Sequence, residues 1–512
     1  MLVKTFGSAV SGIDAYTITI EVNVSKGIRF AMVGLPDNAV KESHQRVESA
    51  LKVNGFNWPG FKIVINMAPA DIRKEGSAYD LPLAIGILAG SAQISPSLLK
   101  DYVIMGELSL DGSLQPVKGV LPMALRAREE GFKGCILPFQ NAREAAVVKG
   151  IQVFGFEHIK QVVRFLESGN GVSPVSINTD EEFEKGTQNI DFDFSEVKGQ
   201  ESVKRALEIA AAGGHNLIMI GPPGAGKSML AKRLASILPP LSLDEALETT
   251  KIHSVAGKTA HNVSLITQRP FRSPHHTISD VALVGGGSFP QPGEISLAHN
   301  GVLFLDELPE FKRTVLEVMR QPLEDRRISI SRARFTIDYP ASFMLVSSMN
   351  PCPCGYFNHP DKKCVCSPGI VQKYLSRISG PLLDRIDLHI EVVPVPFNKL
   401  AEAPPAEKSI LVRERVVRAR QIQNDRFKND ENVHCNAQMN SRMLMRFGTP
   451  DDAGMQILKT AMEKLDLSAR AYDRILKVSR TIADLEASEN IQSHHVAEAV
   501  QYRSLDRSNW GA

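Results

Sequence analysis

Gly221-Pro222-Pro223-Gly224-Ala225-Gly226-Lys227-Ser228 satisfies G-x-x-x-x-G-K-[ST] at every position. Asn216-Leu217-Ile218-Met219-Ile220 runs into it as an apolar strand, and Met229 to Leu238 leaves it as a helix. That strand–loop–helix context separates a phosphate loop from a chance glycine-rich turn. Glycines let backbone N–H groups turn inward around phosphate oxygens, and the helix N-terminus adds positive partial charge. Lys227 is placed to reach the β- and γ-phosphates of ATP, and Ser228 to hold Mg²⁺.

A second short pattern fits the first. Gly301-Val302-Leu303-Phe304-Leu305 is an apolar strand ending in Asp306-Glu307, about 80 residues after the loop. Asp306 is expected to bind Mg²⁺ and Glu307 to position and deprotonate the attacking water. A third strand, Met344 to Met349, ends in Asn350.

The rest of the chain must be organised around these motifs. At 512 residues it has room for about three domains. With 43% hydrophobic and 23% charged residues, its composition is that of an ordinary globular protein. A net charge of +2 means that any nucleic-acid surface is local. No apolar run reaches about 18 residues, so no membrane span is expected. The first residues, Met1 to Gly7, contain no long apolar stretch, which points to the cytoplasm.

Residues 1–167 read as a mixed α/β domain. Ile18, Ile20, Val22 and Val24 alternate with polar residues as a half-buried strand. Strands are expected near Ile28–Val33, Phe61–Met67 and Gly134–Pro138, and helices over Asn38–Asn54, Leu81–Leu88 and Val120–Glu130. Residues 168–190 are polar and punctuated by Gly and Pro, and read as a linker. Residues 191–395 form the nucleotide-binding core, and 396–512 are helical.

Within the core, Phe271 to Thr277, with His275 and His276, and Gly285-Gly286-Gly287 read as an irregular polar loop. Arg326 to Ile337 alternates like a β-hairpin with Arg332 and Arg334 near its tip. Cys352-Pro353-Cys354 and Cys364-Val365-Cys366 are separated by nine residues. Two thiolate pairs across one loop can build a tetrahedral Zn²⁺ site. The C-x-C pairs are tighter than the usual C-x₂₋₄-C, and His359 and Asp361 compete as ligands, so spacing alone leaves zinc and a metal-free loop both open. Cys135 and Cys435 stand alone.

Motif order and insertions resemble the ComM/YifB family of Mg-chelatase-like AAA+ ATPases over nearly the whole length. Pro69 to Pro82 resembles that family's N-terminal signature and a worn serine loop of Lon protease. The implied fold is a P-loop AAA+ core with an N-terminal Lon-protease-like (ribosomal S5-like) α/β domain and a C-terminal α-helical lid. A gap-free match puts Ala78 where Lon has its serine and Met123 where it has its lysine, so the domain is expected to be peptidase-dead. The resemblance also implies roles. Asn350 would be the sensor that orients the lytic water, and Arg385, in Leu382-Leu383-Asp384-Arg385-Ile386-Asp387, the arginine finger acting on a neighbouring subunit. Arg470, with Arg474 as fallback, would contact the γ-phosphate, and the Arg332/Arg334 hairpin would face DNA in a central pore. As a whole it implies a homo-hexameric DNA motor with helicase or branch-migration activity in recombination during natural transformation. The alternative is a protein-remodelling ATPase of the chelatase type. An ATP-dependent peptidase is disfavoured by Ala78 and Met123.

Overall fold

The computed structural model describes residues 1–169, 171–188, 192–259, 263–287, 290–332, 335–357, 359, 362–395, 406–430 and 433–503. Contacts divide the chain into two compact units, residues 1–186 with 243–267, and 187–242 with 268–512.

The first unit is built on a seven-stranded sheet. Its order is Phe30–Val33, Lys62–Ala68, Asp14–Ser25, Leu2–Ser11, Tyr102–Ile104, Gly134–Pro138 and Gln152–Phe156. Leu2–Ser11 and Asp14–Ser25 form an antiparallel hairpin in the register Thr5↔Ile20. The period-2 alternation is realised in burial: Ile18, Ile20 and Val22 are fully covered. The covering helix Asp80–Gly90 is buried along its whole length. Two glycines bring it close to the sheet, since a Cβ on Gly86 would stand 2.7 Å from Val22 Cγ2 and one on Gly90 2.9 Å from Val24 Cγ2. At its N-terminus the buried Asp80 receives a two-pronged bond from Arg46 (2.7 and 2.9 Å). Burial pushes the Asp80 carboxyl up to about 6 against that opposing cation.

Two boundaries differ from the sequence expectation. The segment read as a linker contains a helix, Thr179–Gln188, with Asp180, Glu181 and Glu182 in its first turn, where negative charge suits the helix dipole. It is tied down by Arg143–Glu182 (2.7 Å) and Lys149–Asp180 (2.9 Å), and Val175 N–H extends the sheet edge to Val153 C=O (2.8 Å). The helix Leu243–Ala256, contiguous in sequence with the nucleotide-binding core, packs instead on Val120–Glu129 of the first unit, with Gly119 N–H donating to Ser254 C=O at 3.1 Å. Helical periodicity shows which face is apolar, not which body receives it.

The second unit holds a five-stranded sheet, all parallel, in the order Phe271–Arg272, Val302–Leu305, Met344–Met349, Leu217–Ile220, Leu388–Glu391. The three central strands are buried throughout, which is why they read as continuous apolar runs rather than alternating ones. The crevice beyond the carboxyl ends of such strands is where ligands bind. Leu217–Ile220 feeds the phosphate loop there, Val302–Leu305 feeds Asp306, and Met344–Met349 feeds Asn350. The helices Ser409–Phe427, Asp452–Leu465, Ala469–Leu485 and Ser493–Gln501 share a core with this sheet through Val416, Leu458, Ile475, Ile482 and Val496. No described helix is long and apolar enough to cross a membrane.

Candidate nucleotide site

The phosphate loop turns on Gly224 (φ +80°) and Gly226 (φ +86°), conformations that glycine adopts without Cβ strain. A Cβ on Gly224 would meet open space. Gly221 is pinned at the other end, where a Cβ would stand 2.3 Å from Val392 C=O. Gly226 caps the helix Lys227–Ile237, so that helix's N-terminal amides open towards the loop.

Lys227 is 8% exposed, and its Nζ donates to Gly221 C=O (2.7 Å), Pro222 C=O (3.0 Å) and Asn350 Oδ1 (3.1 Å). All three ammonium donors are thus used on uncharged acceptors. Burial pushes the amine's pKa down, against the pull of Asp306 and Glu307. Ser228 Oγ donates to Asp306 Oδ2 at 2.7 Å, and Ser348 Oγ bonds the other carboxylate oxygen. One hydroxyl and one carboxylate side by side at a phosphate loop form an oxygen donor set of the kind Mg²⁺ takes alongside phosphate oxygens and water. A buried ammonium beside inward-turned glycines suits a polyphosphate. The residues present therefore fit Mg·ATP.

Glu307 follows on a left-handed backbone (φ +54°), strained for a non-glycine residue, and its carboxylate is 55% exposed. Strain of order 1–3 kcal/mol at such a position is tolerated where the surroundings fix the residue. His276 Nδ1 lies 3.6 Å from the Glu307 carboxylate.

Five expected site residues thus converge: Lys227, Ser228, Asp306, Glu307 and Asn350. Arg385 and Arg470 sit elsewhere in the unit. Arg385 pairs with neither neighbouring acid, and its guanidinium bonds Glu324 (2.5 Å) and Pro381 C=O. Asp384 is taken by Arg470 (3.0 Å, 61% exposed), and Asp387 by Arg474 (3.1 Å). Asp387 is buried and also accepts from Asn216 N–H (3.1 Å), with His215 Nδ1 at 3.3 Å. Burial alone would raise its pKa; Arg474, then His215, outweigh that and hold it well below the usual carboxylate range. Arg474 therefore belongs to a buried network joining the last sheet strand to the helix Ala469–Leu485.

The hairpin forms as expected, Arg327–Arg332 against Phe335–Pro340, with Ile330 opposite Ile337. Ile328, Ile330 and Tyr339 are buried, and the Tyr339 hydroxyl donates to Pro290 C=O at 2.8 Å. A Cβ on Gly285 would lie 3.0 Å from Ile330 Cδ1, so the hairpin packs directly on the Gly285–Gly286 insertion. Arg332 is paired with Phe335 through its backbone, and Arg334 lies outside the described residues.

Cys352, Cys354, Cys364 and Cys366 converge, with all four sulfurs within 4.8 Å of one another. The Sγ···Sγ separations of 3.3, 3.5 and 3.6 Å are far beyond a disulfide bond and close to the edge of a ZnS₄ tetrahedron, about 3.8 Å for Zn–S near 2.3 Å. His359 is engaged with Lys362 N–H (3.1 Å). Asp361 lies outside the described residues. Cys135 is isolated, and burial pushes its thiol up to about 12.

In the first unit, Met123 is buried in the core and Ala78 packs against it. The Ser77 hydroxyl bonds Glu107, and Lys74 Nζ bonds Pro69 C=O.

Sequence reasoning missed three participants. Ser348 could have been noticed as a hydroxyl inside an apolar strand, two residues before Asn350 and so on the same face. His276 and Glu324 carry no local signal, because their partners are distant in sequence.

Three family models match the chain: "Magnesium chelatase, subunit ChlI" over residues 193–400, "Subunit ChlI of Mg-chelatase" over 20–141 and "Magnesium chelatase, subunit ChlI C-terminal" over 406–503. Competence protein ComM of Haemophilus influenzae is 45% identical over 512 residues, covering 99% of this chain and 98% of the relative. YifB of Escherichia coli K12 is 44% identical over 501 residues, covering 98% and 96%. Lon protease 2 of Bacillus subtilis is 30% identical over 157 residues, covering 28% of this chain and 27% of the relative. With its phosphate loop, parallel sheet and full-length likeness, the chain belongs to the ComM/YifB family of magnesium-chelatase-like AAA+ ATPases.

Proposed function

We propose that this chain is a Mg²⁺-dependent ATPase whose hydrolysis cycle drives a ring-shaped DNA motor, with branch-migration or helicase activity in the recombination of incoming DNA. The observation that carries the ATPase reading is the convergence of Lys227, Ser228, Asp306 and Asn350 at the carboxyl ends of three strands. Mg²⁺, held by Ser228 and Asp306, would offset phosphate charge. Lys227 hands one or more of its carbonyl bonds to the β- and γ-phosphates. Glu307 takes a proton from the attacking water, and Asn350 orients that water. Arg385 of one subunit serves the site of the next, and Arg470 contacts the γ-phosphate, so the working form is a homo-hexamer. The four thiols hold a structural Zn²⁺.

For the DNA half, support comes from two features. One relative is a competence protein by name. A hairpin carrying Arg332 and Arg334 is anchored by buried Ile328, Ile330 and Tyr339, with Ile330 packed on Gly285 and the Tyr339 hydroxyl bonded to Pro290 C=O. Arginines at a hairpin tip suit a phosphate backbone without sequence preference. The N-terminal domain, with Ala78 and Met123 at the positions of Lon's serine and lysine, does not cleave peptides and serves assembly or nucleic-acid contact, and the protein works in the cytoplasm.

ATPase rate with and without forked DNA, on wild type and Arg332→Ala/Arg334→Ala, tests this. DNA should stimulate the wild type, the double variant should lose that stimulation, and DNA affinity should fall steeply with salt. A basal rate indifferent to DNA in both proteins would refute the DNA motor and favour protein remodelling.

A further inference from the structure

The cysteine loop is continuous with the catalytic machinery. It begins at the residue after Asn350, the acceptor of the Lys227 ammonium. Cys352, two residues on, is fully buried. Residues 351–367 contain no helix or strand among those described, so the backbone itself does little to fix their course. Yet the loop touches the nucleotide site twice. Gly355, at φ +83°, lies flat against the phosphate loop, where a Cβ would stand 2.5 Å from Pro223 Cδ and 3.2 Å from Cγ. Beyond Cys366, the helix Pro368–Leu375 brings the buried Tyr374 back beside the Asn350 main chain. The loop leaves Asn350, crosses Pro223 and returns to Asn350, and its two halves meet at the thiol cluster and where Lys362 Nζ lies 4.8 Å from the centre of the Tyr356 ring.

We propose that Zn²⁺ bound by Cys352, Cys354, Cys364 and Cys366 is a positioning element of the ATPase site: it closes this circuit, and so fixes Asn350 and the Pro223 wall of the phosphate loop. The inference rests on the zinc reading above. Four thiolates around one cation replace many weak loop contacts with one rigid cross-link. A circuit cut at the cluster leaves Asn350 held only by its strand and the single Lys227 bond, with nothing fixing its loop side, and the amide drifts relative to the phosphate loop. A shift of an ångström at a group that orients water is enough to slow the chemical step. Loss of zinc is therefore expected to act on turnover more than on ATP capture, because the loop glycines and Lys227 stay on the strand Leu217–Ile220 and the helix Lys227–Ile237.

Zinc content of the full-length protein, kcat and the Kd of a fluorescent ATP analogue test it, on wild type, Cys364→Ser/Cys366→Ser and Gly355→Ala. Wild type should hold about one zinc per chain, and Co²⁺ should replace it with the spectrum of a tetrahedral thiolate site. The double cysteine variant should lose the metal and about tenfold in kcat, with Kd changed less than about threefold. Gly355→Ala should keep its zinc, because no ligand is touched, and still lose turnover, because the new methyl displaces Pro223. Wild type purified from zinc-rich medium with zinc far below one per chain would overturn the metal site itself. Zinc present in wild type and lost from the cysteine variant with kcat within twofold would leave the site standing and overturn its link to catalysis. Should the cysteine variant not fold, a fully active Gly355→Ala protein would overturn that link by itself.

Discussion

If Arg385 completes a neighbour's site, two inactive variants should rescue each other. Lys227→Ala removes the ammonium from the phosphate loop, and Arg385→Ala removes the finger. The structure sets the energy the finger must overcome. Its guanidinium is bonded to Glu324, whose carboxylate is 54% exposed, and to Pro381 C=O. A half-exposed ion pair contributes about 0.2–1 kcal/mol, and one charge-assisted bond to a carbonyl about 1.5–3 kcal/mol. Leaving that resting place therefore costs about 2–4 kcal/mol. An arginine finger is worth about 10³–10⁵ in rate, or about 4–7 kcal/mol, so the swing is repaid in the transition state. Each variant alone should then fall by about 10³ or more in kcat. In a 1:1 mixture with random assembly, about a quarter of the interfaces pair an intact phosphate loop on one chain with an intact finger on the other. ATPase should recover to about a quarter of the wild-type rate. The assay is turnover after co-refolding or subunit exchange, with mixed assembly verified by differently tagged chains. Verified mixed assemblies that stay inactive would refute a finger acting between subunits.

Further outcomes follow from the same geometry. Ser228→Ala removes the hydroxyl 2.7 Å from Asp306 and should raise the Mg²⁺ concentration for half-maximal ATPase about tenfold; an unchanged Mg²⁺ requirement would count against Ser228 as a metal ligand. Asp387→Ala leaves the buried His215 and the partly buried Arg474 without their carboxylate and should cost about 3–5 kcal/mol in urea unfolding; a loss under about 1 kcal/mol would show that the network is not coupled to stability. The second unit should also be acid-sensitive in two stages. Burial and then Arg503 hold His389 well below its usual range, so below about pH 6.5 only the unfolded chain takes up that proton and stability falls. Asp387, whose folded pKa is depressed, contributes stability that is full above about pH 4 and is lost as the pH falls further. Unfolding free energy measured from pH 8 to 2 should therefore decline from near pH 6.5 and again below about pH 4, and His389→Phe should flatten the first stage alone; a wild-type curve flat from pH 7 to 4 would contradict the His389 assignment.

What could be read from the chain, and what could not, follows from where the information sits. Lys227, Ser228, Asp306, Glu307 and Asn350 were legible because each lies at or just beyond the end of an apolar run, and the parallel sheet delivers those ends to one crevice. Spacing and strand pattern suffice when topology does the gathering. The helix Ala469–Leu485 shows the opposite case. Periodicity puts Arg470, Arg474 and Lys477 on one face, and a solvated stripe is the natural reading. In the fold the stripe divides: Arg470 is 61% exposed, Arg474 is bound to the buried Asp387, and burial, then Arg474, push the Lys477 amine down to about 8. Nothing on the helix distinguishes these cations, because the distinction belongs to Asp387, just ahead of the strand Leu388–Glu391, which the helix meets only after folding. The same reasoning covers Glu324 beside Arg385, His276 beside Glu307 and the placement of Leu243–Ala256 on the first unit. Each is a contact whose second half is far away in sequence. The cysteine loop lies between the two cases. Its four thiols announce themselves locally, while Gly355, which carries the loop onto Pro223, is one glycine among 37 until the fold shows what it touches.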